Sequence, residues 1–297
     1  MRGPRVRLLG TKPMPELPEV QTVVSELCEA GLPGRRILMA VVNWPATVAS
    51  PDAGSFCRGV RGAVVRRIRR RGKFIVIELS ASMFLLVHLR MSGRMRLAAA
   101  GEVGVTRHDH VLLFLDDGRV LTFRDTRKFG RWILTRHPEE WLRRLGPEPL
   151  SNATAAPVFH RRLRTRRRML KPLLLDQAFL AGLGNIYVDE ALWRARLHPM
   201  RRAHTLDGTE SAALGRAIRQ VLREAVAAAG TTLGKGETNF YSVSGKAGRH
   251  RRGLRVFRRH GEPCPRCGET IVRLRVAQRG THVCPRCQTL AAKDAVG

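Results

Sequence analysis

The sequence has no apolar run long enough to cross a membrane. A membrane-spanning helix needs roughly 18 or more consecutive apolar residues, and none of the 297 positions begins such a run. The first thirteen residues hold only Val6, Leu8 and Leu9 as an apolar segment, which is too short for a secretory signal. These absences predict a soluble protein with no membrane partner.

Cysteine is also scarce, and its placement excludes a disulfide scaffold. Cys28 and Cys57 are isolated among apolar neighbours, while the other four cysteines form two CxxC pairs near the C-terminal end. Disulfide scaffolds of oxidising compartments spread their cysteines through the whole domain. The observed pattern favours a reducing cytosol and a single metal site.

Acidic residues are few as well. The chain has 24 Asp and Glu against 54 Lys and Arg, which gives a formal net charge of +30. Such an excess makes the compact state repel itself unless a polyanion screens it. No basic amphipathic helix with a large apolar face points to a membrane surface, so nucleic acid is the predicted partner.

What is present includes a strong metal-binding pattern at the C-terminal end. Cys264 and Cys267 are followed, after sixteen intervening residues, by Cys284 and Cys287. Two CxxC turns joined by β-forming residues such as Thr270-Ile271-Val272 match a four-thiolate tetrahedral Zn²⁺ site. The alternative, four free thiols, is weaker. A site closed by four cysteines has no open coordination position, so one structural Zn²⁺ is predicted.

The hydrophobic pattern predicts a β-rich N-terminal half behind one helix. Residues Glu16 to Ala30 have helical spacing, and the pattern becomes β from about Ile37 to Thr135. Phe74 to Leu79 and Phe84 to Val87 indicate buried strands, and His110 to Phe123 indicates a hairpin around an Asp-Gly turn. Many short strands and one helix favour a two-sheet sandwich or flattened barrel.

The second half has a different organisation. A boundary is predicted around Gly146 to Pro157, where glycine and proline loosen the chain. Leu170 to Ala229 is helical in pattern, with interruptions, and a basic Gly/Ser-rich stretch from Gly234 to Arg252 precedes the cysteines. No internal repeat is visible.

Residues Lys171 to Leu192 contain a candidate phosphate clamp. Gly182-Leu183-Gly184 permits a tight reversal, and a new helix is predicted to begin at about Asn185. Backbone N–H groups at a helix start favour an anion, and the Asn185 amide adds a donor. The alternative is a Gly-rich helix hairpin with no ligand. Arg279, at the tip of the predicted cysteine hairpin, is either a phosphate contact or a solvated surface residue.

Pro15 and Glu16 allow two interpretations. The first is a plain helix start, with proline in the first turn and acids that complement the dipole. The second is chemical: a proline with a free α-nitrogen is a secondary amine that can attack a sugar C1′ and form an iminium. Glu16 would then shuttle protons to the sugar. Composition does not choose between them.

Taken in order, these pieces resemble the formamidopyrimidine-DNA glycosylase/endonuclease VIII family from Pro15 to about Leu290. The matching stretches are MPELPEV, RRGKFIVIEL, HLRMSGR, RHDHV, FRDTRKFG, LGPEPL, LKPLLLDQ, AGLGNIYVDEAL, GEPCPRCG and QRGTHVCPRC. The resemblance implies an α+β multidomain fold with three parts. They are an N-terminal catalytic β-sandwich with a leading helix (15–146), a helix–two-turn–helix DNA-binding domain (158–235), and a lesion-loop and zinc-ribbon region (236–290).

The resemblance also assigns roles to single residues. Pro15 would be the nucleophile of a DNA glycosylase and AP lyase, and Glu16 its acid–base partner. Four side chains would hold phosphates beside the lesion, with Lys73 and Arg279 in the catalytic set: Lys73, Lys171, Asn185 and Arg279.

Four further residues would contact DNA. His88 would be a backbone contact, and Met91, Arg127 and Phe129 would fill the space of the flipped nucleotide. An inserted wedge recovers part of the stacking lost on flipping. Without the resemblance, the favoured readings are a core Met, a turn Arg and a packed Phe.

The HLxMSG and DxRxFG signatures resemble the purine-lesion branch of the family. The expected substrates are 8-oxoguanine and formamidopyrimidines opposite cytosine in double-stranded DNA, with Arg127 reading the cytosine and β,δ-elimination cutting the strand. Two features depart from the family pattern. Thr126 and Lys128 stand where Pro and Arg are commoner, and Thr232 to Leu254, aligned with the lesion-covering loop, is unusually basic and Ser-rich.

The N-terminal side also departs from the family, whose mature chain begins at the proline. Residues 1–14 are therefore expected to be absent from the mature protein, a bacterial, cytoplasmic, nucleoid-associated monomer. Two alternatives stay open. One is a glycosylase of the same fold that prefers oxidised pyrimidines, and the other is a non-catalytic zinc-ribbon DNA-binding protein, if Pro15 is blocked.

Overall fold

The computed structural model describes residues 14–102, 104–234, 236 and 239–290. Apart from Met14, the predicted N-terminal extension lies outside the described residues. The described helices of five or more residues are α1 Leu17–Glu29, α2 Ala53–Val60, α3 Pro138–Leu142, α4 Ala156–Arg164, α5 Leu170–Leu175, α6 Asn185–Arg194 and α7 Gly208–Ala227. The strands are β1 Ile37–Val42, β2 Val48–Ser50, β3 Val65–Arg71, β4 Phe74–Leu79, β5 Met83–His88, β6 Gly93–Ala99, β7 Asp109–Leu115, β8 Arg119–Asp125, β9 Arg131–Thr135, β10 Val272–Val276 and β11 Arg279–Val283.

The N-terminal lobe is a two-sheet sandwich with α1 against it. One sheet has the order β1-β7-β8-β6 and the other β2-β9-β5-β4-β3. Alternate residues of the strands point inward, because side chains alternate across a strand, and they form one core with the apolar stripe of α1. Trp132 and Phe123 meet edge to face in this core, with ring centroids 5.6 Å apart. The predicted sandwich with a leading helix is confirmed.

The predicted hairpin is formed by β7 and β8 around Asp116-Asp117-Gly118. Gly118 has φ +77°, a left-handed conformation that glycine adopts without steric cost. The antiparallel register pairs Phe114 with Val120. At its far end β8 leads into a turn, residues 126–129, that precedes β9.

The second lobe is helical and has its own core. Helices α4 to α7 pack around a cluster that includes Phe159, Tyr187 and Ile218, all of them buried. Leu17 of α1 belongs to this cluster and not to the sandwich core. Its N–H donates to the carbonyl of Gly182 at 3.0 Å, so the first residue of α1 lies at the junction of the two lobes.

Glu148 clamps the linker between the lobes to the sandwich. Its carboxylate lies 2.6 Å from the Arg70 guanidinium and accepts the Gly72 N–H at 2.7 Å. Arg71 donates to the same carboxylate and to the carbonyl of Leu145. These bonds fix the β3–β4 turn, Gly72-Lys73, against the second lobe, and Lys73 lines the site described below.

The segment after Thr232 returns to the N-terminal lobe. Val243 is buried in the sandwich core, and the Ser244 N–H donates to Glu26 of α1 at 2.8 Å. The Arg94 guanidinium of β6 lies 4.5 Å from the Tyr241 ring centroid. The unusual stretch predicted to cover a lesion therefore bridges the two lobes.

The C-terminal part is a small hairpin, β10–β11, held against α6. Its turn is Ala277-Gln278, and both residues have positive φ, at 44° and 65°. A two-residue turn of this kind matches the right-handed twist of the paired strands. None of the helices within the described ranges is long and apolar enough to cross a bilayer.

Candidate active site

One cavity of about 690 Å³ lies where the sandwich, the helical lobe and the C-terminal hairpin meet. It brings together six of the residues that the sequence singled out: Glu16, Lys73, Met91, Phe129, Asn185 and Arg279. Pro15 lies between two lining residues, Met14 and Glu16, and is itself buried. Four other predicted residues do not line it: His88, Arg127, Lys171 and Pro15.

Glu16 is a buried carboxyl group held by backbone donors. Only 2% of the residue is exposed, and its carboxylate accepts the Ile186 N–H at 2.9 Å and the Tyr187 N–H at 3.5 Å. These N–H groups belong to the first turn of α6, where the helix dipole favours an anion. A Cβ on Gly184 would lie 2.3 Å from the Glu16 carboxyl carbon, so this close approach requires glycine.

Burial raises the pKa of Glu16 to about 7. The Lys73 ammonium opposes this rise, and the neighbouring carboxylate of Glu19 adds to it. A carboxyl group with a pKa near 7 is present in both protonation states at neutral pH. Glu16 can therefore both donate and accept a proton there.

Lys73 faces Glu16 from the sandwich side and is 6% exposed. It follows Gly72, which has φ +56°. A Cβ added to Gly72 would lie only 3.2 Å from the Cβ of Ala181. Burial lowers the pKa of Lys73, and the nearby Arg279 guanidinium lowers it further, while Glu16 raises it. Lys73 and Arg279 thus form a positive wall opposite the acid, which suits an anionic phosphate.

Behind Glu16 lies a second buried acid, which sequence analysis interpreted only as a helix-dipole residue. Glu19 accepts the Glu16 N–H at 2.9 Å and the Thr231 N–H at 2.7 Å. The Tyr187 hydroxyl donates to the same carboxylate and lies 2.8 Å from the Thr231 hydroxyl. Both Glu19 and Tyr187 stand in motifs of the resemblance, PELPEV and GNIYVDE, and this was the signal that could have identified them. Their contacts fix the backbone at the first turn of α1.

Asn185 and Lys171 share one acceptor in this structure. The Asn185 side-chain amide and the Lys171 ammonium each donate to the Gly280 carbonyl at 3.0 Å. Asn185 begins α6, as predicted, and lines the cavity. The two donors hold the tip of the C-terminal hairpin, next to Arg279.

Lys171, which the resemblance predicts to hold a DNA phosphate, has a charged partner within the chain. Its ammonium is fully buried and lies 2.6 Å from Asp189 on α6. The other oxygen of Asp189 accepts the His282 N–H at 2.9 Å. A buried ammonium needs a charged partner, and Asp189 supplies it, so in this conformation Lys171 supports the hairpin that carries Arg279.

His88 is likewise turned away from the cavity. It is 8% exposed, its ring stands edge-on to Phe74 at 4.8 Å, and its Nδ1 accepts the Arg90 N–H at 3.0 Å. Burial, with the charges of Arg90 and Lys73, lowers the pKa of His88 to about 3. The side chain is therefore neutral. Its hydrogen bond with the Arg90 N–H fixes the backbone of the turn that leads to Met91.

The turn after β8 presents two of the three predicted wedge residues. Asp125 holds its base: the carboxylate accepts the Arg127 N–H at 3.1 Å and the Gly130 N–H at 2.6 Å. Phe129 is 44% exposed, and the Arg127 guanidinium lies 4.9 Å from its ring centroid. Met91 lines the same cavity as Phe129 from the β5–β6 turn. An exposed phenylalanine on a rigid turn is not a core residue.

Lys128, one of the departures from the family pattern, has a partner of its own. Its ammonium lies 3.5 Å from the ring centroid of Trp44. A cation over an aromatic face is attracted by the ring electrons. The contact ties the exposed turn to the segment after β1.

The four C-terminal cysteines form the predicted metal site. Their sulfur atoms all lie within 4.8 Å of one another, with Cys267 3.5 Å from Cys284 and 3.4 Å from Cys287. Zn–S bonds of about 2.3 Å in a tetrahedron place the sulfurs about 3.8 Å apart, which fits. Trp193 donates to the Cys264 sulfur at 3.4 Å. The chain carries one structural Zn²⁺ site.

Three family models match the chain in sequence order. Residues 14–132 match the formamidopyrimidine-DNA glycosylase N-terminal domain, and residues 145–236 match the formamidopyrimidine-DNA glycosylase H2TH domain. Residues 261–290 match the zinc finger found in FPG and IleRS.

Curated relatives align over nearly their full length. A formamidopyrimidine-DNA glycosylase of Protochlamydia amoebophila is 46% identical over 266 residues, covering 90% of this chain and 96% of the relative. The protein of the same name from Enterococcus faecalis is 41% identical over 284 residues, covering 94% and 99%.

Solved structures agree with this. A complex of Lactococcus lactis Fpg with DNA containing an abasic site has a TM-score of 0.84 and 35% identity, over 93% of this chain and all of that one. A complex of a Lactococcus lactis FPG variant with Fapy-dG-containing DNA gives a TM-score of 0.85 and 36% identity over the same shares. With the fold, the zinc site and the full-length similarity in agreement, the chain belongs to the formamidopyrimidine-DNA glycosylase family.

Proposed function

We propose that this protein is a bifunctional DNA glycosylase and AP lyase that excises oxidised purines, 8-oxoguanine and formamidopyrimidines, from duplex DNA. One observation carries the proposal: the Glu16 carboxyl, with a pKa near 7, lies beside Pro15 in a cavity whose opposite wall is cationic. That arrangement combines a proton donor, the site of a nucleophile and a phosphate-binding wall. The names of the relatives and the lesion-containing DNA of the solved complexes support the substrate class.

The chemistry needs Pro15 as a chain terminus. Its free amine attacks C1′ of the damaged nucleotide, the N–C1′ bond forms, and the base leaves with the electron pair of the glycosidic bond. Glu16 delivers a proton to the ring oxygen as the sugar opens, which leaves an iminium between Pro15 and C1′. Loss of a C2′ proton then expels the 3′ phosphate by β-elimination, and δ-elimination expels the 5′ phosphate.

Phosphate binding is assigned to the cationic and amide donors around the cavity. Lys73, Asn185 and Arg279 line it from three different parts of the fold. Lys171 contributes through the hairpin, since it shares the Gly280 carbonyl with Asn185. Because one chain supplies all these parts, we assign the activity to a monomer, acting on the nucleoid in the bacterial cytoplasm.

Met91, Arg127 and Phe129 are assigned to the gap left by the flipped nucleotide. Phe129 and Met91 present apolar surface at the cavity, and the Arg127 guanidinium lies over the Phe129 ring. The resemblance assigns to Arg127 the hydrogen bonds to the orphaned cytosine. His88 serves by fixing the Arg90 backbone next to Met91.

Replacing Arg279 with Ala should weaken binding to lesion and undamaged duplexes alike. Loss of one phosphate contact makes the log–log dependence of affinity on salt shallower by about 0.9. Fluorescence anisotropy over a salt series measures the slope. Arg275→Ala on the same hairpin is the matched control, because Arg275 does not line the cavity. If the salt dependence of affinity were the same for Arg279→Ala and the original protein, Arg279 would be a solvated surface residue and not a phosphate contact.

Replacing Met91 and Phe129 together with Ala should slow excision from an 8-oxoguanine duplex by about tenfold or more, because extrusion of a stacked base costs a few kcal/mol. Cleavage of a duplex that already contains an abasic site should change much less, since little remains to be unstacked. Single-turnover rates on the two substrates give the comparison. Equal losses on both would mean that the two side chains only support the fold.

A further inference from the structure

We propose that Arg251, Arg252 and Arg258 form a second phosphate-binding site, which takes a backbone phosphate of the duplex outside the catalytic cavity. The proposal rests on the DNA-binding function proposed above and extends the contact surface. It concerns none of the residues assigned to catalysis.

The site is an open cavity of about 570 Å³ on the segment between the helical lobe and the zinc ribbon. Four arginines line it, the three named above and Arg259. Among the described residues that line it, Glu262 is the acidic one, and its carboxylate lies 2.8 Å from Arg259. Within that described lining, no further carboxylate faces the other three arginines.

Within the described part of the chain, Arg251, Arg252 and Arg258 lack the counter-charge that some other arginines have. Arg168 pairs with Asp176, and Arg194 pairs with Glu224. Among the residues that the structure describes, the side chains of Arg251, Arg252 and Arg258 make neither an ion pair nor a hydrogen bond. Three unpaired guanidinium groups around one cavity repel one another, and an anion between them removes that repulsion.

Arg258 lies close to other positive charges. Partial burial lowers its pKa, and the charges of Arg251 and Arg273 lower it further. A guanidinium remains protonated at neutral pH regardless, so Arg258 stays positively charged beside Arg251 and Arg273. A phosphate placed among these charges would offset their repulsion. The planar fork of arginine fits two phosphate oxygens at once.

The backbone conformation at Arg258 suits glycine, which matters for the choice of a test variant. Its φ is +60°, in the left-handed region that disfavours residues with a Cβ and that glycine adopts freely. An arginine at such a position carries a conformational cost, which replacement by glycine removes.

The cavity adjoins the active site, which identifies duplex DNA as the source of the phosphate. Phe257 borders both cavities, and its N–H donates to the buried Glu190 at 2.8 Å. A strand whose lesion occupied the catalytic cavity would therefore have this second cavity within reach, on the other side of Phe257. Arginines 251, 252 and 258 are solvent-exposed, as suits a passing backbone.

Arg258→Gly is the variant that tests the site with the least disturbance, because glycine fits φ +60°. For undamaged duplex, its log–log salt slope should be shallower than that of the original protein by about 0.9. Arg251→Ala should reproduce the change. Arg255→Ala is the matched control, since Arg255 lies in the same segment but outside this cavity, and its slope should be unchanged.

Methylphosphonate substitution locates the contact. Neutralising one phosphate at a time should reveal a position outside the lesion where the original protein loses affinity and Arg258→Gly does not. The single-turnover excision rate at saturating DNA should be the same for both proteins. A salt slope of Arg258→Gly equal to that of the original protein would overturn the proposal.

A titration with inorganic phosphate separates the two sources of the ligand. If phosphate raises the Tm of the original protein but not of Arg258→Gly, while the DNA slopes are equal, the site takes free phosphate and the DNA assignment is wrong. Because undamaged DNA is used, a failure of the proposed excision activity would leave the slope difference intact. The two proposals therefore fail separately.

Discussion

A version of the protein that keeps residues 1–13 uncleavably attached is expected to lose base excision and strand cleavage by about 10⁶-fold, the scale seen when an enzyme loses its covalent nucleophile. With Met14 attached, the Pro15 nitrogen is a tertiary amide whose lone pair is delocalised into the carbonyl. Neighbouring charges do not turn an amide into an amine. Met14 also lines the catalytic cavity, where the sugar must approach.

The measurement compares this version with a chain that begins at Met14, whose initiator methionine is removable before a small residue. Single-turnover cleavage of an 8-oxoguanine duplex gives both rates. Binding of undamaged duplex is the control, since Arg279 and the zinc ribbon are the same in both. Equal excision rates would rule out Pro15 as the nucleophile and favour another amine.

Glu16→Gln is expected to bind lesion DNA with nearly unchanged affinity and to excise the base about 10² to 10⁴ times more slowly, the range for loss of a general acid–base group. Glutamine keeps the shape and can still accept the Ile186 and Tyr187 N–H groups. What it lacks is a transferable proton. Near-native excision would remove Glu16 from the mechanism.

The pH dependence gives an independent check on Glu16. Its pKa is raised to about 7, and the charge of a free Pro15 amine would lower it by the same kind of attraction that Lys73 exerts. Because the protonated form donates, the excision rate at saturating DNA should fall as pH rises through an apparent pKa no higher than about 7. Glu16→Gln should lack this alkaline limb, and its persistence in that variant would assign the limb to another group.

Local sequence signals predicted the elements of the fold well. The Phe74–Leu79 strand and the start of α6 at Asn185 have the predicted bounds, because a β-branched run and a Gly-x-Gly reversal are each set by nearby residues. The CxxC spacing likewise specified the zinc site, since each pair of ligands comes from one tight turn.

Burial of charged side chains was not predictable from the same signals. Lys171 stands in a motif with a phosphate-binding role by resemblance, yet its charge is neutralised by Asp189, eighteen positions away. The pairing depends on how α5 packs against α6, which no local pattern encodes. The burial of His88 was equally unpredictable. The ring that packs against it belongs to Phe74 on a neighbouring strand, and the sequence around His88 does not encode that contact.

Pro15 and Glu16, the proposed catalytic pair, show both what the sequence predicts and what it does not. The sequence placed Pro15 and Glu16 at a helix start and left two interpretations open. The structure adds that two N–H groups of α6 donate to Glu16. It also shows that the Tyr187 hydroxyl donates to Glu19, which fixes the first turn of α1. These contacts join segments some 170 residues apart, so only the folded chain reveals them.

The most direct test of the mechanism is to trap the covalent intermediate and locate it. Sodium borohydride reduces an iminium to a stable amine, so the chain that begins at Met14, incubated with lesion duplex, should yield a cross-linked product. Peptide mapping by mass spectrometry should place the sugar on the nitrogen of Pro15, and the version that retains residues 1–13 should yield no product. Attachment at Lys73, or equal trapping by both versions, would contradict the account.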